Sequence, residues 1–370
     1  METEYREKIS CLDLTRQHQQ IKDEVFKAFE RVYDKAAFSG GPFVEQFEQD
    51  FAAFCDTEYA VGVNNGTSAL QLAILALGIG EGDEVILPAN TFIATAWGIS
   101  YSGATPVFVD CTADTWQIDV TKIENAITAK TKAIIGVHLY GQPFDIDGVR
   151  HICERHNLFC LEDAAQAQGA MYKNVTVGTS GDMACFSFYP GKNLGACGEA
   201  GGITTNNAGY YKHLLSLRNH GSEVRYYHDE IGFNMRMGGL EAASLQVKLR
   251  HLPSWNNRRR LIARRYQEEI TNLKVKLQVQ PGWAESVYHL FVITTENRDL
   301  LLQHLHEQSI VAGLHYPVPC HLQKAYKHLN YQPGAFPNSE YLAQHCLSLP
   351  MYAELSDEEV SYIIDVVNTY

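Results

Sequence analysis

Short apolar segments alternate with helical patterns between Tyr59 and Asp163, and this alternation constrains the fold more than any other feature. Near-continuous apolar strands separated by helices are typical of a mostly parallel sheet covered by helices on both faces. Functional sites in such sheets lie at the carboxyl ends of the strands. The predicted strands are 59–63, 84–87, 105–109, 133–139, 158–161 and the apolar run 183–188.

The segments outside this alternation predict a helical N-terminus and a smaller α+β unit at the C-terminus. We expect a large domain over residues 1–250, including the N-terminal helical segment, and a small domain over residues 251–370. Five arginines of the second unit (Arg258, Arg259, Arg260, Arg264 and Arg265) are interpreted as a solvated helix face. The predicted elements are helices over 13–37, 43–54, 254–272 and 297–308, and strands over 286–295 and 310–316.

Composition excludes several classes of protein. A formal net charge of -13 argues against a nucleic-acid partner, which needs a basic face. No long apolar run predicts a membrane span, and the charged N-terminus does not resemble a secretory signal. Nine cysteines without C-x-x-C pairs favour a reduced, cytoplasmic location. We expect no metal site, because His151, Cys153 and His156 lack ligand spacing.

A lysine follows the apolar run that ends near Phe188. Pro190 and Gly191 break the predicted strand and present Lys192 on a tight turn, and several glycines follow. Taken alone, a surface turn that happens to carry a lysine is the better interpretation. The alternative is an amine that forms a Schiff base with a cofactor aldehyde.

Two upstream segments favour that alternative. Gly66-Thr67-Ser68 opens a helix, whose free amides and dipole suit a phosphate, although ordinary N-capping would explain it equally well alone. Asp163 ends a predicted strand, where a buried carboxylate would pair with a pyridinium nitrogen or simply fix a turn.

The three features occur in chain order, each at a strand end. The hydroxyl of Ser187, on the strand before the lysine, could reach the same phosphate. The chain lacks a G-x-G-x-x-G after its first strand and lacks the upstream glycine of a P-loop at Gly191-Lys192, so nicotinamide and nucleotide-triphosphate sites are disfavoured. Phosphate cradle, acid and lysine together predict a Schiff-base cofactor.

At these residues the chain resembles the DegT/DnrJ/EryC1/StrS sugar aminotransferases, which are pyridoxal-phosphate enzymes of fold type I. The resemblance covers nearly the whole chain. Its motifs are Gly41-Pro42 with Glu45-Gln46-Phe47-Glu48, Asn65 to Leu70, Pro88 to Phe92, His138 to Gly141, Glu162 to Gln166, the Lys192 segment, Gly232-Phe233-Asn234 and His315-Tyr316-Pro317.

The resemblance implies an α/β fold with a mostly parallel seven-stranded sheet and roles for individual residues. Lys192 would form the Schiff base and then shuttle the proton, opposite the ring-nitrogen partner Asp163. Gln166 would contact the phenolic oxygen and Phe92 would stack on the ring. The implied phosphate ligands are Gly66, Thr67, Ser187 and, from the neighbouring subunit of a homodimer, Asn234.

The resemblance also implies a substrate. Tyr189 and its neighbours look like the branch that aminates carbon 3 of dTDP-3-oxo-6-deoxyhexoses, whereas carbon-4 members more often have His there. His315 and Tyr316 would touch the hexose or the diphosphate, or would form a packed aromatic strand end. Gln168 stands where the family commonly has His, and Ala200 stands where it commonly has Gly, so the pocket departs from the usual family pattern at these two positions.

The predicted function is transfer of the amino group of L-glutamate to a nucleotide-linked keto-6-deoxyhexose. A carbon-4 aminotransferase, a same-fold dehydratase with His in place of the lysine, and a non-catalytic regulatory protein are the alternatives. Lys192 argues against the dehydratase. The aminated sugar could serve a lipopolysaccharide O-antigen, an S-layer glycan or an antibiotic.

Overall fold

The strands of the chain belong to one large sheet and two small ones. A computed structural model describes residues 8–370. In chain order the strands are β1 (Tyr59–Val63), β2 (Glu84–Pro88), β3 (Thr105–Val109), β4 (Thr131–Val137), β5 (Phe159–Asp163), β6 (Met171–Tyr172), β7 (Val175–Thr176), β8 (Met183–Ser187), β9 (Gly201–Thr205), β10 (Lys276–Leu277), β11 (Ala284–Glu285), β12 (Phe291–Thr294) and β13 (Cys346–Leu349).

Helices precede, separate and follow these strands. They are α1 (Leu14–Asp34), α2 (Pro42–Cys55), α3 (Gly66–Ala76), α4 (Ile93–Tyr101), α5 (Val120–Ile123), α6 (Ile146–His156), α7 (Ala208–Arg218), α8 (Gly239–Glu269), α9 (Arg298–Glu307), α10 (Pro337–His345) and α11 (Asp357–Thr369). Among the described residues, no helix combines the length and the apolarity that crossing a membrane requires.

The large sheet has seven strands in the order β1-β9-β8-β5-β4-β2-β3. Only β9 runs antiparallel to its neighbours. Side chains alternate between two apolar layers, so that Val61 packs with α3, α4 and α7 while Ala60 packs with α1, α2 and α8 on the other face. The predicted α/β architecture with a mostly parallel seven-stranded sheet is confirmed.

This topology brings three chain segments to one edge of the sheet. β1, β5 and β8 point the same way, so their carboxyl ends meet. The turn into α3 follows β1, Asp163 ends β5, and Ser187 ends β8. Residues that are far apart in sequence therefore share one site.

A smaller antiparallel sheet, β10-β12-β13, packs with α9 and α11 around a separate apolar cluster that includes Ile293 and Leu347. A third sheet, β11-β6-β7, joins strands from both parts of the chain. The expected domain division after residue 250 falls inside the continuous helix α8, and it remains a proposal.

Two predicted elements of the C-terminal part were wrong. The helix expected over 254–272 begins at Gly239, because Pro253 lies inside α8 rather than before it. The strand expected over 310–316 does not form. Only single bridges occur there, from Ile310 to Ile9 and from Gly313 to Ser348.

Candidate active site

The turn after β8 presents Lys192. The Lys192 amide donates to the Tyr189 carbonyl at 2.8 Å, and the Ala196 amide closes the loop onto the Phe188 carbonyl at 2.8 Å. A side chain at Gly195 would collide with the Pro190 carbonyl, so the tight turn requires glycine there. The predicted presentation of Lys192 on a tight turn agrees with this geometry.

Helix α8 contacts this turn at two points, which the sequence did not indicate. The side-chain nitrogen of the buried Asn193, Nδ2, donates to Asn256 Oδ1 at 3.0 Å and to the Val287 carbonyl at 2.9 Å. Lys248 is fully buried, and its Nζ donates to the Gly195 carbonyl at 2.7 Å. The turn is therefore anchored to α8 through both Asn193 and Gly195.

The Lys192 side chain lines a cavity of about 820 Å³. Burial lowers its pKa to about 8, against the opposing attraction of the Asp163 carboxylate. An appreciable fraction of the amine is therefore neutral near physiological pH, which is the form that reacts with carbonyls.

Asp163 lies in the same cavity wall and is 5% exposed. Its Oδ2 accepts a hydrogen bond from Thr95 Oγ1 at 2.7 Å, and its Oδ1 accepts one from the Ala165 amide at 3.1 Å. Burial raises the pKa of Asp163, while these donors and Lys192 lower it in part. A carboxylate in this setting gains from a cationic partner in the cavity.

The N-terminus of α3 meets the end of β8. Asn65 caps the helix by accepting from the Ser68 amide at 2.8 Å. The amides of Gly66 and Thr67 lie in the first turn of α3, where no intrahelical acceptor is available, and both residues line the cavity. A Cβ on Gly66 would lie 2.7 Å from the Ser187 Cβ, so only glycine permits this approach. The arrangement suits an anion held by amides and a hydroxyl.

Gln168 has a clear structural role where a His had been the common expectation. Its buried Nε2 donates to the Ser187 carbonyl at 2.7 Å, and its own carbonyl accepts from Asn256 at 2.8 Å. Gln168 thus links the end of β8 to α8.

Gln166 connects two tyrosines next to the cavity. Its Oε1 accepts from the Tyr140 amide at 2.6 Å and its Nε2 donates to the Tyr316 hydroxyl at 2.9 Å. The Tyr316 ring lies 5.3 Å from the ring of Phe92, which is half-exposed toward the cavity. His315 Nδ1 bonds to Ser348 Oγ at 2.8 Å.

Nearly all of the predicted site residues line this one cavity. Asn234 is the exception, because it is exposed, lies outside the cavity of its own chain and forms a bridge with Asn219. The residues brought together are Gly66, Thr67, Phe92, Asp163, Gln166, Ser187, Tyr189, Lys192, His315 and Tyr316.

Two cavity residues were missed. Arg259, assigned to a solvated face, is 3% exposed, and its Nη1 donates to the Met351 carbonyl at 2.9 Å. Burial lowers its pKa to about 10. Its place between Trp255 and Ile262 in the buried stripe of α8 was a usable signal. His289 follows no such pattern. Burial, then the charges of Lys192 and Arg259, lower its pKa well below normal.

Comparison with known proteins identifies the family. The sequence profile described as the DegT/DnrJ/EryC1/StrS aminotransferase family matches residues 19–368. The chain belongs to this family.

Several members of the family are similar over almost their whole length. A dTDP-3-amino-3,6-dideoxy-alpha-D-galactopyranose transaminase of Aneurinibacillus thermoaerophilus is 44% identical, over 98% of this chain and 99% of its own. A dTDP-3-amino-3,4,6-trideoxy-alpha-D-glucose transaminase of Streptomyces venezuelae is 42% identical, over 98% and 96%. The erythromycin biosynthesis sensory transduction protein EryC1 of Saccharopolyspora erythraea is 44% identical, over 96% and 98%.

Solved structures of the family share the fold. S. venezuelae DesV, in complex with a ketimine intermediate, superposes with a TM-score of 0.97 at 42% identity, covering 98% of both chains. The PLP form of the putative sugar aminotransferase Spr1654 from Streptococcus pneumoniae gives a TM-score of 0.89 at 30% identity, over 94% of this chain and 95% of its own. These solved structures also confirm the predicted fold class.

Proposed function

We propose that this chain is a pyridoxal-phosphate-dependent transaminase that moves the amino group of L-glutamate to a nucleotide-linked keto-6-deoxyhexose. The observation that carries the proposal is the meeting of Lys192 and Asp163 in one cavity of an aminotransferase-family fold. The Spr1654 relative has a PLP form, which supports the same cofactor here.

The residues of the cavity fit this cofactor. Gly66 lets the N-terminus of α3 lie against Ser187, so the amides of the first helical turn and the Ser187 hydroxyl are close enough to hold one phosphate. Asp163 offers a buried carboxylate to a ring nitrogen, and Phe92 and Gln166 are available to the ring face and the phenolic oxygen.

Bound pyridoxal phosphate supplies an electron-accepting ring that acidifies the α-hydrogen of an amino acid. The carboxylate of Asp163 would pair with the ring nitrogen and so would keep a proton on it. Lys192 Nζ, partly neutral because its pKa is about 8, accepts the proton from the α-carbon of L-glutamate and later returns it. The second half-reaction uses the same two groups with the keto sugar.

We further propose carbon 3 of a dTDP-3-oxo-6-deoxyhexose as the site of amination. Two relatives above 40% identity are dTDP-3-amino sugar transaminases by name, and they support carbon 3 over the carbon-4 alternative. Tyr189, His315 and Tyr316 line the cavity and are available to the sugar or its diphosphate.

A homodimer would complete the site. Asn234 is exposed and outside the cavity of its own chain, as a residue that serves a neighbouring subunit would be. Two further proposals remain: a cytoplasmic location, which rests on the nine cysteines without C-x-x-C pairs, and a role in lipopolysaccharide biosynthesis, which rests on the family resemblance.

The test combines trapping with product analysis. The protein is incubated with pyridoxal phosphate, reduced with borohydride and mapped by peptide mass spectrometry, and we expect the adduct on Lys192. Purified protein with L-glutamate and a dTDP-3-oxo-6-deoxyhexose should give a 3-amino sugar by NMR, with the 4-oxo isomer as comparison. Lys192→Ala should abolish turnover. An adduct on another side chain, or none, would refute the proposal.

A regulatory role is the second candidate, because two relatives carry regulatory names. One is EryC1, and the other is a pleiotropic regulatory protein of Geobacillus stearothermophilus, 41% identical over 97% of each chain. The presence of Lys192, Asp163, Gly66 and Ser187 in one cavity favours catalysis. A purified protein without cofactor absorbance, even after incubation with pyridoxal phosphate, would favour the regulatory role.

A further inference from the structure

The carboxylate of Asp163 is the end of a buried chain of hydroxyl groups. Thr91 Oγ1 lies 2.7 Å from Thr95 Oγ1, which lies 2.7 Å from Asp163 Oδ2. All three side chains are buried, and Thr95 has no exposed surface. A hydrogen bond to a charged acceptor at this depth is stronger than one between neutral groups.

The direction of the chain follows from proton counting. The Thr95 hydroxyl has one proton and three candidate acceptors: Asp163 Oδ2 and Thr91 Oγ1, each at 2.7 Å, and the Phe92 carbonyl at 3.1 Å. Of the two short contacts, only the one to Asp163 ends on an ionisable oxygen, so the proton belongs there when Asp163 is charged. The Thr95 oxygen then accepts from the Thr91 hydroxyl, and each bond polarises the next.

Thr95 and Phe92 belong to the same helical turn. Phe92 is the N-cap of α4, and the Thr95 amide donates to the Phe92 carbonyl at 3.2 Å. The Phe92 side chain lines the cavity, where the cofactor ring would lie. The Thr95 side chain holds the Asp163 carboxylate, which would meet the ring nitrogen. The backbone of the turn therefore fixes the distance between the two.

We propose that Thr95 is a positioning residue that keeps Asp163 charged and aimed at the cofactor, and that the first turn of α4 couples this to the ring contact of Phe92. The inference deepens the proposed function and rests on it. In the described part of the chain, the Asp163 carboxylate accepts hydrogen bonds only from the Thr95 hydroxyl and the Ala165 backbone amide. Without the Thr95 hydroxyl, Oδ2 has no donor and the carboxylate is free to turn away.

The test measures the dissociation constant of pyridoxal phosphate from the apo-protein, together with the pH dependence of the bound chromophore. Thr95→Val keeps the shape and removes the hydroxyl, so we expect about tenfold weaker binding or more. Thr95→Ser restores the donor and should bind within about threefold of the wild type. Thr95→Ala is the second hydroxyl-free variant if the Val variant does not fold.

Thr204→Val is the matched control. Thr204 is also fully buried, but its hydroxyl donates to the neutral Gly178 carbonyl at 2.8 Å, away from the cavity. This variant loses a comparable hydrogen bond and should retain the wild-type affinity for the cofactor.

A double-mutant cycle separates positioning from general damage. In an Asp163→Asn background, Thr95→Val should change cofactor affinity little, because the charge that Thr95 serves is gone. An equal loss in both backgrounds would refute the positioning role, as would wild-type affinity in folded Thr95→Val. If the wild type itself bound no pyridoxal phosphate, the proposed function would fail first and this inference with it.

Discussion

Burial lowers the pKa of two lysines in the described part of the chain, Lys192 and Lys248, and they differ in what surrounds the amine. Lys248 Nζ donates to the Gly195 carbonyl and to His18 Nε2, at 2.7 and 2.9 Å, so hydrogen bonds within the protein hold this amine. Lys192 faces a cavity and has the Asp163 carboxylate as its one attractive influence. Burial alone therefore does not make a nucleophile; a free direction of approach is also needed.

The pKa of Lys192 predicts how the apo-protein takes up pyridoxal phosphate. Because burial lowers this pKa to about 8, the neutral amine increases as the pH rises through 8 and is nearly complete above it. We expect the rate of chromophore formation, followed by absorbance between about pH 6.5 and 9.5, to rise and level off accordingly. Lys192→Ala should lack this phase. A rate that is still rising steeply at about pH 9.5 would indicate ordinary surface lysines instead.

Sequence patterns found the residues of this site that sit at strand ends or turns. Gly66, Asp163 and Lys192 each follow a recognisable strand, so local rules were sufficient. Thr95 and His289 were missed because their importance comes from tertiary neighbours, namely the Asp163 carboxylate and the cavity wall. No local pattern encodes such contacts.

At the scale of elements, α8 is the support of the lysine turn. Asn256 links two neighbours of that turn, by accepting from Asn193 and donating to the Gln168 carbonyl. Both hydrogen bonds are buried. Removing them would leave a hydrogen of the Asn193 side-chain amide and the Gln168 backbone carbonyl without these partners, in a place that water does not reach.

We therefore expect Asn256→Ala to loosen the turn locally. Loss of two buried hydrogen bonds should lower the free energy of opening by about 2 kcal/mol, which corresponds to roughly 30-fold faster amide exchange. Hydrogen exchange with mass spectrometry on peptides covering Lys192 and Ala196 would measure it. Asn206→Ala, which changes an exposed amide, is the control and should leave the turn unaffected. Unchanged exchange in Asn256→Ala would contradict the supporting role.

The strands of the large sheet were predictable because both faces are buried and the apolar runs are short and bounded. Helix α8 was misjudged at Pro253, which removes only one amide donor while packing against α1 and α2 keeps the helix continuous. The expected strand over 310–316 failed because only isolated pairs form, such as Gly313 with Ser348.

At the scale of the whole molecule, the proposed dimer makes a prediction about which chain supplies each residue. Lys192 and Asp163 line one cavity of a single chain, whereas Asn234 does not reach it. If Asn234 serves the partner, a dimer of one Lys192→Ala chain and one Asn234→Ala chain contains one intact site.

Co-expression of these two inactive or weakened variants should therefore restore activity. Random pairing makes half of the dimers mixed, so about a quarter of all sites would be intact. Lys192→Ala co-expressed with Asp163→Asn is the control and should restore nothing, because both changes fall in the same cavity of a chain. Equal activity in the two mixtures would mean that Asn234 does not act across the interface.

The overall architecture followed from the sequence because the order of strands and helices restricts the possible folds, and the family resemblance agreed with it. Assembly was accessible only through that resemblance. A residue such as Asn234 has no pattern in its own chain that identifies the surface it meets.

One helix holds two separate segments of the active site. Lys248 bonds to the turn that carries the reactive amine, and eleven residues later Arg259 bonds to the carbonyl of Met351, which also lines the cavity. At 1.5 Å per residue, these anchors are about 16 Å apart along a single rod. The spacing of the two anchors is thus set by the rise of one helix, and inserting one residue between them would rotate the second by about 100° and disengage it.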